Sequence, residues 1–304
     1  MRQHYRITNQ HKITTMSAKH PPAAYAASGD IVVFETMDCF DGTVTREDQH
    51  LTAVGQEHIN PATGPLYVEG AKAGDILKID ILDIQVANSG LISDAPGHGY
   101  LADFVPNEAT HIIPIEKNVA ILSKKVKVPI RPMIGVIGTA PPAGEEIATN
   151  TPGRHGSNLD CKKITKGTTL YLPVYIDGAL LAMGDVHAIM GDGEIIVCGL
   201  EVCGEVTVRV TVLPATNIPL PFLVTKKQAI VLCSAPSLDE AAKEATLSMQ
   251  KFLMDQVGMD FHEAGMLLSM VGNLRICQVV NPLVTVRFEF PRRILKKYGA
   301  TPCG

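Results

Sequence analysis

Between Arg154 and Glu201 the chain reads RHGSNLDCKKI and then TLYLPVYIDGALLAMGDVHAIMGDGEIIVCGLEV. Seven residues there can bind a metal or move a proton: His155, Asn158, Asp160, Asp185, His187, Asp192 and Glu194. Nowhere else do such groups gather so densely against so apolar a background. Asp185 and His187 are two residues apart, so on a strand they project to one face. Asp192 and Glu194 repeat that spacing after Gly191, and a hairpin carrying both pairs would aim an imidazole and up to three carboxylates at one point. Imidazole nitrogen with carboxylate oxygen is a ligand set for zinc with an open position, or for calcium or magnesium if oxygens dominate. Such a site polarises a carbonyl and acidifies water while a free carboxylate takes the proton. Glu194, followed by Ile195-Ile196-Val197, fits the base, because burial raises a carboxyl pKa. His155, Asn158 and Asp160 sit on a glycine-punctuated loop that approaches from another direction. The competing reading is plain turn chemistry, since Asp-Gly and Gly-Asp pairs are ordinary in hairpins.

Two more residues are additional candidates. Asp38 follows the Ile31–Phe34 run together with Glu35 and Asp41, and His98 lies in the glycine-rich GHGYLADF loop. Their bland readings are a solvated turn and an exposed loop histidine.

The elements that position these groups read mostly as strands. Ile31–Phe34, Leu66–Val68, Thr168–Tyr175, Leu180–Met183 and Ile195–Val202 are short apolar or β-branched runs. Residues 205–212 alternate strictly, with valines on one face. Ile76–Val86 alternates with a slip over 79–84, as a bulge gives. Gly135 and Gly138 in RPMIGVIGTAP allow close backbone approach. Past Pro214–Pro221 the pattern turns helical. Ser237 with Glu240 is a capping box opening a helix through Leu253, and Asp260–Arg275 reads as a second helix. Leu283–Phe290 closes as a strand. The expected organisation is a flexible N-terminal arm over 1–27, a β-rich region over 28–213 carrying the site, and an α+β portion over 214–304 on the same core.

Composition narrows the function classes. A formal net charge of −4 gives no reason to expect nucleic acid, and 5% aromatic residues without Trp disfavour base stacking. No run of eighteen apolar residues suggests a membrane span. The seven Cys, odd in number and scattered through apolar segments, read as reduced thiols of a cytoplasmic protein. HExxH, GxSxG, GxGxxG and the P-loop pattern do not occur.

The segments GDIVVFET, RPMIGVIGTAP, RHGSNLDCK, LPVYIDGALLAMGDVHAIMGDGE and LLSMVGNLRICQVVNP, in order from about Gly29 to Pro291, together resemble the acetamidase/formamidase family. The resemblance implies a mainly β, sandwich-like architecture with an α+β portion and a helical pair near the C-terminus. It also implies a divalent metal, zinc first with calcium or magnesium as alternatives, and hydrolysis of short linear amides to carboxylate and ammonia. Carried onto this chain, Asp160, Asp185 and His187 become metal ligands, Glu194 the base, and His155 and Asn158 the groups that orient the carbonyl or its oxyanion. Two positions depart from the usual pattern. HGGN is here HGSN, placing the Cβ of Ser157 where glycine suggests a positive φ, and Gly153 stands where members often carry another His. The expected partner is a small amide, with no nucleic acid and no membrane, in a homo-oligomer, a dimer or a tetramer. The alternatives are a hydrolase of another small C–N substrate and a non-catalytic small-molecule or metal-binding protein on this fold.

Overall fold

The alternation of valines with polar residues produces the Gly204–Leu213 strand, in which Val206, Val208 and Val210 are inaccessible and Thr207, Arg209 and Thr211 half-buried. It pairs antiparallel with Ile31–Thr36 on one side and Ile76–Val86 on the other. Opposite Leu82 the register slips, since Thr207 faces Asp83 and Val208 faces Ile81, so the expected bulge is present. The computed structural model describes residues 4–300.

These strands belong to a nine-stranded sheet running from His4–Ile7 at one edge to Asn273–Gln278 at the other. An eleven-stranded sheet holds Met133–Gly138, Leu181–Ile189 and Leu200–Glu201 side by side, with Ala62–Glu69 branching from Leu181–Ile189. The two sheets share one core, in which Val32, Ile79 and Val208 meet Leu66, Met183 and Val186. Alternate residues of the first sheet enter a second core. Leu170 and Ile230 face the partner sheet, whereas Tyr171 and Val231 join Ala245, Met249, Phe252 and Leu253 of the Leu238–Val257 helix. The first sheet is thus packed between a sheet and a helical layer, giving a mainly β fold with an α+β C-terminal portion. Ser237 Oγ accepts from Glu240 N and caps the first helix; Asp260 Oδ1 accepts from Glu263 N and caps the second, Phe261–Val271. No helix of the described residues is long and apolar enough to cross a membrane.

Three expectations are corrected. Residues 4–27 are not a loose arm: His4–Ile7 runs parallel to Ile31–Thr36, Lys12–Ile13 and Ala24–Ala27 pair with Ala62–Glu69, and Thr15–Ser17 pairs with Glu146–Ala148. Ile7, Met16 and Ala26 bury there, apolar contacts too sparse to stand out in a polar segment. The second helix ends at Val271, before Gly272, and Asn273–Gln278 becomes an edge strand in place of a last helical turn. Of Ile195–Val202 only Leu200–Glu201 is strand, because left-handed backbone at Glu194 (φ 50°) and Val197 (φ 102°) bends the chain. Residues 1–3 of the expected arm and Cys303 lie outside the described residues; the other six cysteines are free thiols.

Candidate active site

Glu201 faces His187 directly across the ladder between Leu200–Glu201 and Leu181–Ile189, so the two side chains share a face. Asp185 reaches the same point from His187's own strand. Asp160 arrives just past the Gly156–Asn158 strand, and Glu194 from the bent loop after Ile189. The Nε2 atom of His187 lies 3.0 Å from Glu201 Oε1, 3.3 Å from Asp185 Oδ1, 3.8 Å from Glu194 Oε1 and 3.9 Å from Asp160 Oδ1. All five side chains are buried.

Backbone conformation makes this convergence feasible. A Cβ at Gly135 would strike Asp185 Oδ2 and Asp160 Oδ1, so only glycine lets both carboxylates close over the Met133–Gly138 strand. Asp160, Asp185 and Glu194 all have left-handed φ, at 41°, 53° and 50°. Each such non-glycine residue costs on the order of 1 kcal/mol, and strain gathered at one point marks a functional site. Ser157 has φ 70°, as the family's usual glycine suggested, and its Oγ donates to Thr149 O at 2.7 Å.

Burial and mutual repulsion govern the charges. Burial, then the Asp185 charge, pushes Asp160 up to about 6. Burial, then Glu201, does the same for Asp185, also to about 6. Glu194 is pushed well above the usual carboxylate range by burial and then by Asp160. Burial alone would lower the His187 pKa, but Glu201 and Asp185 outweigh it and raise it well above its ordinary value. Neighbouring polar groups hold the acids in place. Gly199 N donates to Glu201 Oε1 at 2.9 Å, and Asn281 Nδ2 to Asp160 Oδ2 at 2.6 Å. A longer bond of 3.4 Å joins Asn60 Nδ2 to Asp185 Oδ2.

Asp185, Glu194 and Glu201 of the cluster line a cavity of about 290 Å³, whereas Asp160 and His187 do not; its walls also include Phe40, Asn60, Asn158, Val197 and Asn281, with His98 among them. Several buried atoms here have no hydrogen-bond partner: Asp160 Oδ1, Glu194 Oε2, Glu201 Oε2, Asn158 Oδ1 and His187 Nδ1. Unpaired carboxylate oxygens in a buried site call for a cation or a ligand proton. Asp160, His187 and Glu194 each put a donor atom within 4.8 Å of the others, a set of one nitrogen and two oxygens that fits zinc chemistry with positions left open.

Of the candidates read from sequence, Asp160, Asp185, His187 and Glu194 come together; Asp185 and Glu194 line the cavity, as do Asn158 and the exposed His98. Three others do not join them. Asp192 Oδ1 and Oδ2 accept from Arg287 at 2.7 and 2.9 Å, and Lys162 lies 3.1 Å away. Burial pushes the Asp192 carboxyl up, but Arg287 and Lys162 more than offset it. The two-residue alternation expected of Asp192 and Glu194 fails because the segment is loop, so they part company. Asp38 closes its own turn, its Oδ1 accepting from Phe40 N and Gly42 N at 3.0 and 3.1 Å. His155 is an odd number of residues from Asn158 and does not line the cavity; it is buried with Nε2 unpartnered and its pKa lowered to about 4 by burial. Cys39, Asn60, Glu201 and Asn281 were not singled out beforehand. An isolated acid within Leu200-Glu201-Val202 was the available signal for Glu201, whereas Cys39 and Asn60 lie too far away in the chain for any spacing to betray them.

The family model described as the acetamidase/formamidase family matches residues 8–145 and 142–297. The fold is that of an acetamidase from Bacillus halodurans, 49% identical, with a TM-score of 0.96 over 97% of this chain and 100% of that one. A predicted acetamidase/formamidase from Thermoanaerobacter tengcongensis is 39% identical with a TM-score of 0.96, covering 99% of this chain and 100% of the other. A formamidase from Methylophilus methylotrophus is 30% identical over 249 residues, 62% of this chain and 61% of its own length. The matched region spans 61% to 63% of the length of the curated relatives.

Proposed function

The chain belongs to the acetamidase/formamidase family, and from that premise we propose that it hydrolyses short linear amides such as formamide and acetamide to carboxylate and ammonia. The observation that carries the reading is the convergence of four buried carboxylates on one imidazole, with Asp185, Glu194 and Glu201 lining a cavity of about 290 Å³, room for a small polar substrate.

Asp160, His187 and Glu194 would hold a divalent cation, zinc before calcium or magnesium because of the imidazole. When bound, such an ion supplies Lewis acidity toward an amide carbonyl and lowers the pKa of water. Glu194 presents Oε1 toward His187 and keeps Oε2 buried without a partner, so Oε2 is the oxygen able to take a proton from water and return it to the departing amine. Burial and then the Asp160 charge raise its pKa, which makes it a stronger base than an exposed glutamate. Asn158 Oδ1, buried and unpaired on the cavity wall, accepts from the substrate's amide N–H and turns its carbonyl toward the carboxylate cluster. Asn281 and Gly199 hold Asp160 and Glu201 in place by the bonds described above.

Free thiols at all six described cysteines suit a reducing compartment such as the cytoplasm. We also infer a homo-oligomer, for reasons of exposed surface given below. The test of the activity is ammonia release from formamide, acetamide and propionamide by purified, metal-supplemented protein, with and without a chelator. Release that a chelator abolishes is expected; no release from any of the three defeats the reading.

A further inference from the structure

Beside the Asp160, His187 and Glu194 donors lies a second group, made of Asp185, which the family resemblance expected to bind the metal, and two residues to which the resemblance gave no role. Cys39, Asp185 and Glu201 each place one ligand atom within 4.8 Å of the others, all three are buried, and all three line the cavity. Glu201 Oε2 has no hydrogen-bond partner, though the residue is only 1% exposed. Cys198, on the same wall, is different: its Sγ donates to Ser93 O at 3.2 Å and accepts from Ser93 N at 3.3 Å, so its bonding is met by backbone.

We propose that Cys39, Asp185 and Glu201 form a second cation site, taking a thiophilic divalent ion of the zinc class, so that the centre holds two ions. Charge balance points the same way. Asp160, Asp185, Glu194 and Glu201 surround one imidazole in a buried space, and a single dication leaves two of their four negative charges unmatched. A second dication matches the four carboxylates, and Cys39, releasing its proton to solvent and binding as thiolate, then leaves the centre with a single negative charge instead of two. The thiol selects zinc-like ions over calcium and magnesium, which prefer oxygen. The two donor sets are contiguous, since His187 Nε2 of the first lies 3.0 Å from Glu201 and 3.3 Å from Asp185 of the second. That adjacency is the arrangement of paired-ion hydrolytic centres. The role of the second ion in turnover rests on the amidase reading; its binding does not.

Metal-free protein reconstituted with cobalt(II) tests this by two readouts, bound metal per chain and the near-ultraviolet thiolate-to-cobalt charge-transfer absorption. Two ions per chain and a clear thiolate band are expected. Cys39→Ser is expected to lose the band and one ion, Glu201→Gln to weaken the same site without removing the thiol, and Asp160→Asn to lose one ion yet keep the band. Wild-type protein without the band, or Cys39→Ser retaining both ions and the band, overturns the proposal. One ion with the band would sustain the second site and sink the first, so the two readings fail separately.

Discussion

In the proposed mechanism Glu194 Oε2, buried and unpaired, is the proton acceptor, on a carboxyl whose pKa burial and then Asp160 raise. Glu194→Gln keeps the shape and removes the proton acceptor, so turnover of formamide or acetamide should fall by about 100-fold or more with the thermal unfolding midpoint little changed. Full activity in that variant would end its assignment as base. His155 permits a different prediction, because burial lowers its pKa from 6.5 to about 4. A histidine with a folded pKa below its unfolded value binds its proton more readily when unfolded. The resulting destabilisation is absent well above pH 6.5, grows as the pH falls through 6.5 toward 4, and is complete below 4, where it reaches about 3 kcal/mol. Between about pH 7 and 4.5, urea unfolding of the wild type should therefore lose about 2 kcal/mol more than His155→Leu does. Equal acid sensitivity in the two proteins would show that His155 is not the group responsible.

The Met133–Gly138 strand controls access of the carboxylates to one another, since any side chain at Gly135 occupies the space of Asp160 Oδ1 and Asp185 Oδ2. Gly135→Ala should bind metal and turn over amide far less well while the sheet still forms, to be measured as metal per chain and ammonia release in soluble protein; normal metal content would contradict it. The loop after Ile189 is anchored differently. Arg287, 2% exposed, joins Asp192, Glu289 and the carbonyl of Ile276. Asp192→Asn weakens that anchor and should cost roughly 2 kcal/mol of stability in a denaturant titration. It should leave amide turnover in the folded protein intact, whereas a catalytic Asp192 would lose turnover first. These two elements also explain what the sequence could reveal. Asp185 and His187 were legible because they sit two apart on a buried strand, and the bulge near Leu82 was legible as a slip in alternation. Asp192 was misjudged because left-handed backbone at Glu194 and Val197 breaks the periodicity from which its direction was inferred. Glu201 reaches the site by pairing opposite His187 across the sheet, and Cys39 and Asn60 by loop closure across long chain separations, neither of which local spacing encodes.

At the scale of the whole molecule, one edge of the nine-stranded sheet exposes apolar side chains. Asn273–Gln278 is the last strand of the nine-stranded sheet, and Leu274 and Ile276 on it are 47% and 39% exposed. Tyr100 and Ile195 are exposed against them, and the four line a single groove of about 360 Å³ that also includes Asp192 and Leu238. An edge strand with apolar side chains in the open is a template for further pairing, and proteins ordinarily cover or charge it. The only charge on its exposed stretch is Arg275. Gly193 already pairs with the end of this edge, its N donating to Cys277 O; a second copy presenting the same edge would cover the rest of the strand and the apolar groove, and a two-fold axis across it gives a closed, self-complementary dimer. The groove adjoins the loop that carries Glu194, so pairing there would brace the base from outside. Light scattering on a size-exclusion column should give a dimer or tetramer, and Ile276→Lys should shift it toward monomer while lowering turnover. A wild-type monomer at micromolar concentration would refute the assembly and leave the active-site assignments standing.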